Sequence, residues 1–549
     1  MIVMQDFKSP IEAFLYWEIN EPNQLFLHQP ISGKIITHTY AEAGQEARKI
    51  ASALKSLGLS KGDHVALLSK NCSQWIIADL AIMMAGCVSI PIYPTLNANS
   101  IEQILVHSES KVIIIGKLDN FESQKSGIPN IPIISVGLYG NTEGKLWEDL
   151  QKAHQPVQDI ALPKPDDLHT IIYTSGTTGD PKGVMHTVNN FTVSGKALVN
   201  LIKMPRKSRQ FSYLPLAHVA ERAICNNGYV LGSTIYFSDS METFAKDLEK
   251  CQPHFFFAVP RIWAKFKEKI LESIPQKKLN TLLMIPIVNT MVKNKLKQKL
   301  GLKSAIFIVS AAAPIADSLV KWFKKLDIII LQGYGMTEDC CVSHFNLPND
   351  NKIGTVGKTL SEAQAKLSPD GEICVKNNCL MKGYYKNPEL TASMFDDEGY
   401  LKTGDIGEFD HDGFLTITGR VKDQFKTDKG KYISPSLIEL SISKNSDIEQ
   451  ICVVGTGIPQ PIALITLSES GKAKSKENLS KRLIQTVSKV NPKLEKHEKI
   501  EKVVIMKEEW TVANGLTTPS LKLKRNAIEK IHQPYYPLWF NNQEKVIFE

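Results

Sequence analysis

From about residue 63 the chain alternates short apolar runs with amphipathic stretches: "HVALLS", then Gln74 to Ala85, then "VSIPIY", a helical pattern from Ile101, and "KVIIIG". Strands of that length separated by helices predict βαβ units and a largely parallel sheet. Inside this region Trp75 to Tyr93 is apolar enough to suggest a membrane span. Asp79, Gly86 and Pro91 interrupt it, so the pattern predicts a helix running into a buried strand. The stretch from Asn120 to Asp167 is polar and rich in proline and glycine, which predicts a connection with little core. Apolar runs return in "QFSYLPLAHV", "STIYFS" and "FFFAVP" and predict further buried strands. From Lys352 onward, short apolar runs alternate with Gly and Asp turns ("PDGEICVK", "DEGYLKTGD", "DHDGFLTITGR"), the pattern of a small antiparallel β unit.

The hydrophilic "GRVKDQFKTDKGKY" then marks a boundary, and a lysine-rich segment of mixed α/β character follows. The expected fold class is therefore α/β. A large N-terminal domain, 1–420, holds βαβ-type sheets plus a small β-barrel-like unit. A smaller α+β domain, 421–549, completes the chain.

Composition changes this picture little. At 549 residues the chain is too long for one core, and 43% hydrophobic with 22% charged residues is ordinary for a globular protein. The net charge of +8, from 65 basic and 57 acidic residues, is mild. Nine scattered cysteines with no Cys-x-x-Cys indicate neither a zinc cage nor a disulfide framework and suit a reducing compartment. The N-terminus lacks the pattern of a signal peptide, so a cytoplasmic protein is expected. The basic helical stretch from Arg261 to Lys303 reads as a solvated face, with peripheral contact to an anionic membrane as the alternative. No basic motif interleaved with aromatics is present, so nucleic acid is not an expected partner.

Chemistry concentrates in "IIYTSGTTGDPKGVMH", Ile171 to His186. Glycines let backbone N–H groups approach phosphate oxygens, hydroxyls add donors, and Lys182 adds charge. That makes Thr174, Ser175, Gly176, Thr177, Thr178, Gly179 and Lys182 a candidate phosphate cradle. It is not a Walker A loop, because Lys182 is followed by Gly183, and it is not Gly-x-Gly-x-x-Gly.

"YTSGTTGDPKG" resembles the signature loop of the adenylate-forming superfamily, which includes acyl-CoA synthetases, adenylation domains and luciferases. "LPLAHVAER" (214–222), "QGYGMTE" (332–338), "YLKTGDIGEFDHDGFLTITGRVKD" (400–423) and "NGLTTPSLKLKR" (514–525) resemble further motifs of that superfamily in the expected order, spanning nearly the whole chain. The first and last of these four, with "VPRIWAKFKEKI" (259–270), look most like the long-chain fatty acyl-CoA synthetase branch. Leu521 stands where short-chain relatives usually carry a glycine.

The resemblance implies ATP, Mg2+ and CoA as reactants and cofactor, with a fatty acid as the acid. Glu338 would be the magnesium ligand, Thr337 would contact the α-phosphate, and Tyr334 with Gly335 would stack on adenine. Asp405 and Arg420 would hold the ribose. Lys522 would bind carboxylate and α-phosphate during adenylation, with Lys524 and Arg525 beside it as rivals for the register. Lys422 would be the hinge of a mobile C-terminal domain. His218 would lie near the carboxylate, Trp263 would gate an acyl tunnel, and "SAAAPI" (310–315) would form the acyl-pocket loop. Quaternary state stays open, a homodimer included. A carrier-protein or acyl-AMP ligase, an aryl or medium-chain ligase, and a non-catalytic binding relative remain as alternatives.

Overall fold

The computed structural model describes residues 6–160, 162–175, 181–518 and 522–549. The alternation around residue 63 builds a parallel sheet. His64–Leu68 pairs in parallel with both Val88–Ile92 and Val112–Ile115. Every residue of the two flanking strands is buried, which explains why they read as continuous apolar runs rather than as alternating ones. The apolar segment from Trp75 resolves as expected: all twelve residues of helix Ser73–Met84 are buried, and the chain turns at Gly86 into the strand Val88–Ile92.

The stretch 120–167 departs from its expectation. It adds two strands, Ile133–Ser135 and Lys145–Leu146, to the edge of this sheet, then the helix Trp147–Ala153. Trp147 is buried and its indole N–H donates to Glu46 Oε1 at 2.8 Å. Two- and three-residue strands are too short to show a period, and parallel pairing with a neighbouring strand supplies what their sequence lacks.

Among the described residues this sheet has eight strands, and its far edge is the antiparallel hairpin Leu168–Ser175 and Pro181–Thr187 followed by Gly383–Tyr384. A second sheet of nine strands carries Arg209–Ser212, Thr234–Phe237, Phe255–Ala258, Phe307–Ser310 and Leu331–Tyr334. The run expected to be a strand through Val219 stops at Ser212. Pro215 cannot donate to a ladder, and His218 instead caps the helix Val219–Leu231.

The Gly- and Asp-punctuated region forms the four-stranded antiparallel unit Ala363–Leu367, Glu372–Asn377, Leu401–Phe409 and Leu415–Arg420. A single turn of 3-10 helix, Val421–Asp423, follows directly. Beyond it lies a separate sheet of Ile448–Val454, Ile462–Leu467, Lys502–Ile505 and Val546–Phe548, with apolar cores on both faces. An ion pair between Arg261 and Glu449 ties this C-terminal unit to the larger one.

Candidate active site

The glycine-rich segment is the tip of a hairpin. Thr174 lies opposite Lys182 and Ser175 opposite Pro181, the last described pairs of the two strands that flank it. Gly176, Thr177, Thr178 and Gly179 lie outside the described residues, as does the side chain of Ser175. Lys182 extends over the ring of Tyr384, with its ammonium 5.7 Å from the centroid. Burial lowers its pKa, nearby Lys422 adds to the effect, and Glu338 opposes it.

Glu338 sits in the turn after strand Leu331–Tyr334. Gly335 is required there, because a Cβ at that position would fall 2.6 Å from Cys341 Cα. Asp339 clasps the turn: its Oδ1 accepts from the N–H of Met336 at 2.8 Å and of Cys341 at 2.9 Å. Cys340 and Cys341 both hold left-handed backbone, φ 53° and 61°, a conformation that β-carbon residues rarely adopt. This cost is offset by the clasp and by the fit of the fully buried Cys340. Asp339 itself is fully buried, which pushes its pKa up to about 7.

His186 ties this turn to the hairpin. Its Nε2 donates to the carbonyl of Thr337 at 2.8 Å, and its Nδ1 accepts from Asn190 Nδ2 at 3.0 Å, a tautomer set by the two partners. Burial lowers the pKa of His186 to about 4, so the ring is neutral at physiological pH. The Tyr384 hydroxyl donates to Glu338 Oε1 at 2.7 Å, and burial raises the pKa of Glu338. A carboxylate desolvated in this way is a poor structure-stabiliser and a good ligand for an incoming cation.

Asp405 and Arg420 face each other across adjacent strands. Arg420 Nε donates to Asp405 Oδ1 at 2.7 Å, and the Tyr334 hydroxyl donates to Oδ2 at 2.6 Å. Each carboxylate oxygen keeps a second lone pair, so both can accept from a diol as well.

Lys522 comes from the other unit. Thr517 and Leu523 form an isolated bridge, Lys522 N–H donates to Thr518 Oγ1 at 3.0 Å, and Thr518 N–H donates to the Lys522 carbonyl at 2.7 Å. From there the Lys522 side chain lies against Arg420, Asp405 and Glu338 of the larger domain. Desolvation lowers the Lys522 pKa and Arg420 pushes the same way, while Asp405, Cys341 and Glu338 pull it back up. The side chain is nevertheless exposed by surface area. Both observations hold for a chain lying in a cleft, where protein surrounds the ammonium without covering it.

His218 lies in the same field. Its Nδ1 accepts from Ala220 N–H at 3.2 Å, and burial followed by the charge of Lys522 lowers its pKa to about 4. Of the two rival bases, Arg525 is engaged elsewhere. Arg525 donates to Glu439 Oε1 at 2.5 Å and to the Val453 carbonyl at 2.6 Å, inside the C-terminal unit, and Lys524 is the residue that precedes helix Arg525–His532.

Trp263 is fully buried in an aromatic cluster, its ring centroid 5.7 Å from Phe256, 5.8 Å from Phe266 and 5.2 Å from Phe323. Lys422 is exposed in the turn between the domains. Sequence reasoning missed His186, Asn190, Asp339 and Tyr384. The last stands in "MKGYYKNP", and its partner Glu338 is 46 residues upstream, so nothing local marks it.

A family model described as AMP-binding enzyme matches residues 19–385, and one described as AMP-binding enzyme C-terminal domain matches 422–534. The chain belongs to this family. Fatty acyl-CoA synthetase A of Dictyostelium discoideum is 30% identical, the match covering 90% of this chain and 84% of that protein. The long-chain-fatty-acid–CoA ligase FadD15 of Mycobacterium tuberculosis is 29% identical over 93% of each chain. The fold matches that of o-succinylbenzoate CoA synthetase from Bacillus subtilis, solved with its acyl-adenylate intermediate. There the TM-score is 0.75 with 22% identity, over 94% of this chain and 97% of that one.

Proposed function

We propose that this AMP-binding enzyme is an AMP-forming long-chain fatty acid–CoA ligase. The observation that carries the reading is Lys522, a lysine of the C-terminal unit that faces Asp405 and Glu338 of the large domain and lies close enough to His218 to lower its pKa. The long-chain preference rests on the relatives named above.

In the first half-reaction a carboxylate oxygen attacks the α-phosphorus of ATP, and the bond to pyrophosphate breaks. Both reactants are anions, so positive charge must stand between them. Lys522 supplies it at the α-phosphate and the carboxylate, strongest where charge accumulates in the transition state. Lys182 and the hairpin tip that includes Thr174 and Ser175 face the leaving phosphates. Asp405 and Arg420 hold the ribose diol. Tyr334, anchored by its hydroxyl, and Gly335 offer a face to adenine, and Thr337 lies beside the α-phosphate.

A magnesium ion suits this site. Among the described residues no group of three or more His, Cys, Asp or Glu side chains could hold a metal by itself. Magnesium, however, takes one or two carboxylates and completes its shell with phosphate oxygens and water, and Glu338 is a buried carboxylate with one oxygen not engaged by Tyr384. When bound, the ion would neutralise charge on the phosphates.

In the second half-reaction the CoA sulfur attacks the acyl carbon, the bond to the AMP oxygen breaks, and the thiol proton leaves to solvent. Lys522 must withdraw to admit the thiol. The domain 421–549 would swing about Lys422 in the turn that follows Arg420, a rotation that an exposed polar residue absorbs readily. Long acids partition into bilayers, so this reading places the substrate near a membrane surface. No described helix is long and apolar enough to cross one.

Mass-spectrometric product analysis tests the reading. Purified protein with ATP, magnesium, CoA and acids from acetate to oleate should give acyl-CoA from the long acids only, with AMP in equal amount. Acyl-AMP without acyl-CoA would favour a carrier-protein or acyl-AMP ligase. Products from short acids alone would overturn the chain-length assignment.

A further inference from the structure

Helices Gln276–Met284 and Pro286–Lys299 form a hairpin that contributes none of the cleft residues described above. Its inner side packs on the core around Trp263 through Leu279, Leu283, Val292 and Leu296. Its turn presents the opposite: Met284 is 80% exposed, Ile285 46%, Ile287 79% and Met291 66%. Isolated exposed hydrophobics are normal, but four large ones at one turn form a contiguous patch that water solvates poorly.

The charge along the hairpin itself has one sign. Residues 274 to 304 hold seven lysines and no acidic residue. Lys293 pairs with Asp327 and Lys299 with Glu249, both acids from outside the hairpin. Lys277, Lys278 and Lys295 are exposed and enter no ion pair among the described residues. An apolar tip with lysines set back along both helices, about two turns or more from it, matches the layered chemistry of a bilayer interface, where acyl chains lie beneath anionic headgroups. A nucleic acid would meet the lysines but leave the tip in water. The solvated face expected from the sequence accounts for the lysines and not for Met284, Ile287 and Met291.

We propose that the hairpin turn around Pro286 inserts into the interfacial layer of an anionic bilayer, with its lysines against the headgroups. The helix Pro260–Ser273, which carries Trp263, leads directly into this hairpin, so membrane contact and the aromatic core lie on one helical assembly. The inference goes beyond the ligase reading, since it concerns binding alone and its test needs no turnover.

The test is co-sedimentation of the full chain with vesicles of phosphatidylcholine, or of phosphatidylcholine with phosphatidylglycerol. The wild type should sediment with the anionic vesicles and be released by added salt. The double variant M284E/I287E should bind them roughly tenfold more weakly or worse. The triple variant K277E/K278E/K295E should lose the preference for anionic lipid. All substituted positions are exposed, so melting temperatures should match the wild type and exclude misfolding. Equal binding by wild type and both variants, or no sedimentation of the wild type with either vesicle, would overturn the proposal.

Discussion

The Lys522 ammonium is drawn partly out of water beside Arg420, and Asp405 and Glu338 favour its charged form. Replacing Lys522 with alanine should therefore slow acid-dependent ATP–pyrophosphate exchange about 100- to 1,000-fold, while thioester formation from supplied acyl-AMP stays near normal. Unchanged exchange would move the role to Lys524. Lys182 sits at the mouth of the phosphate hairpin, so Lys182→Ala should raise the ATP concentration needed for half-maximal rate and leave acid dependence alone. Tyr384→Phe removes the hydroxyl that orients Glu338. The variant should need roughly 10- to 100-fold more magnesium for half-maximal rate, and an unaltered magnesium titration would show that Glu338 is not a ligand.

At the scale of elements, the strand-and-helix alternation after residue 63 was legible because strands buried on both faces and amphipathic helices leave contrasting patterns. The edge strands Ile133–Ser135 and Lys145–Leu146 were not, since pairing rather than composition makes them strands. In the site, the residues carried by contiguous motifs could be named from sequence. His186, Asn190, Asp339 and Tyr384 could not, because each acts by bracing another residue from a distance that only the fold supplies. The contact between the two domains has a handle in the Arg261–Glu449 ion pair. Joining R261C and E449C with a short bismaleimide should hold Lys522 in the cleft. Such protein should form acyl-AMP once per chain and make no acyl-CoA, whereas multiple turnovers of acyl-CoA would show that the C-terminal unit need not move.

For the molecule as a whole, buried titratable groups set the pH range of stability. Burial lowers the pKa of His169 to about 3 and of His186 and His344 to about 4, from 6.5. Their contribution is present above pH 6.5 and lost as pH falls through those values. Glu221 runs the other way. Burial raises its pKa from 4.5 to about 8, so its contribution is full at low pH and lost as pH rises to that value. His218, also near 4, joins the three histidines, and Asp339, raised to about 7, joins Glu221; four histidines outweigh two acids, so the melting temperature of the unliganded protein should rise from pH 4.5 to a maximum near 6.5. It should then fall gently toward pH 8, and a monotonic rise over the whole interval would contradict this balance. The central claim, that acid activation passes through an acyl-adenylate, has a direct test in the fate of the carboxylate oxygens. Oleate labelled in both oxygens with a heavy isotope should, after turnover with ATP and CoA, leave one labelled oxygen in each AMP and none in pyrophosphate. Unlabelled AMP beside newly formed oleoyl-CoA would contradict it.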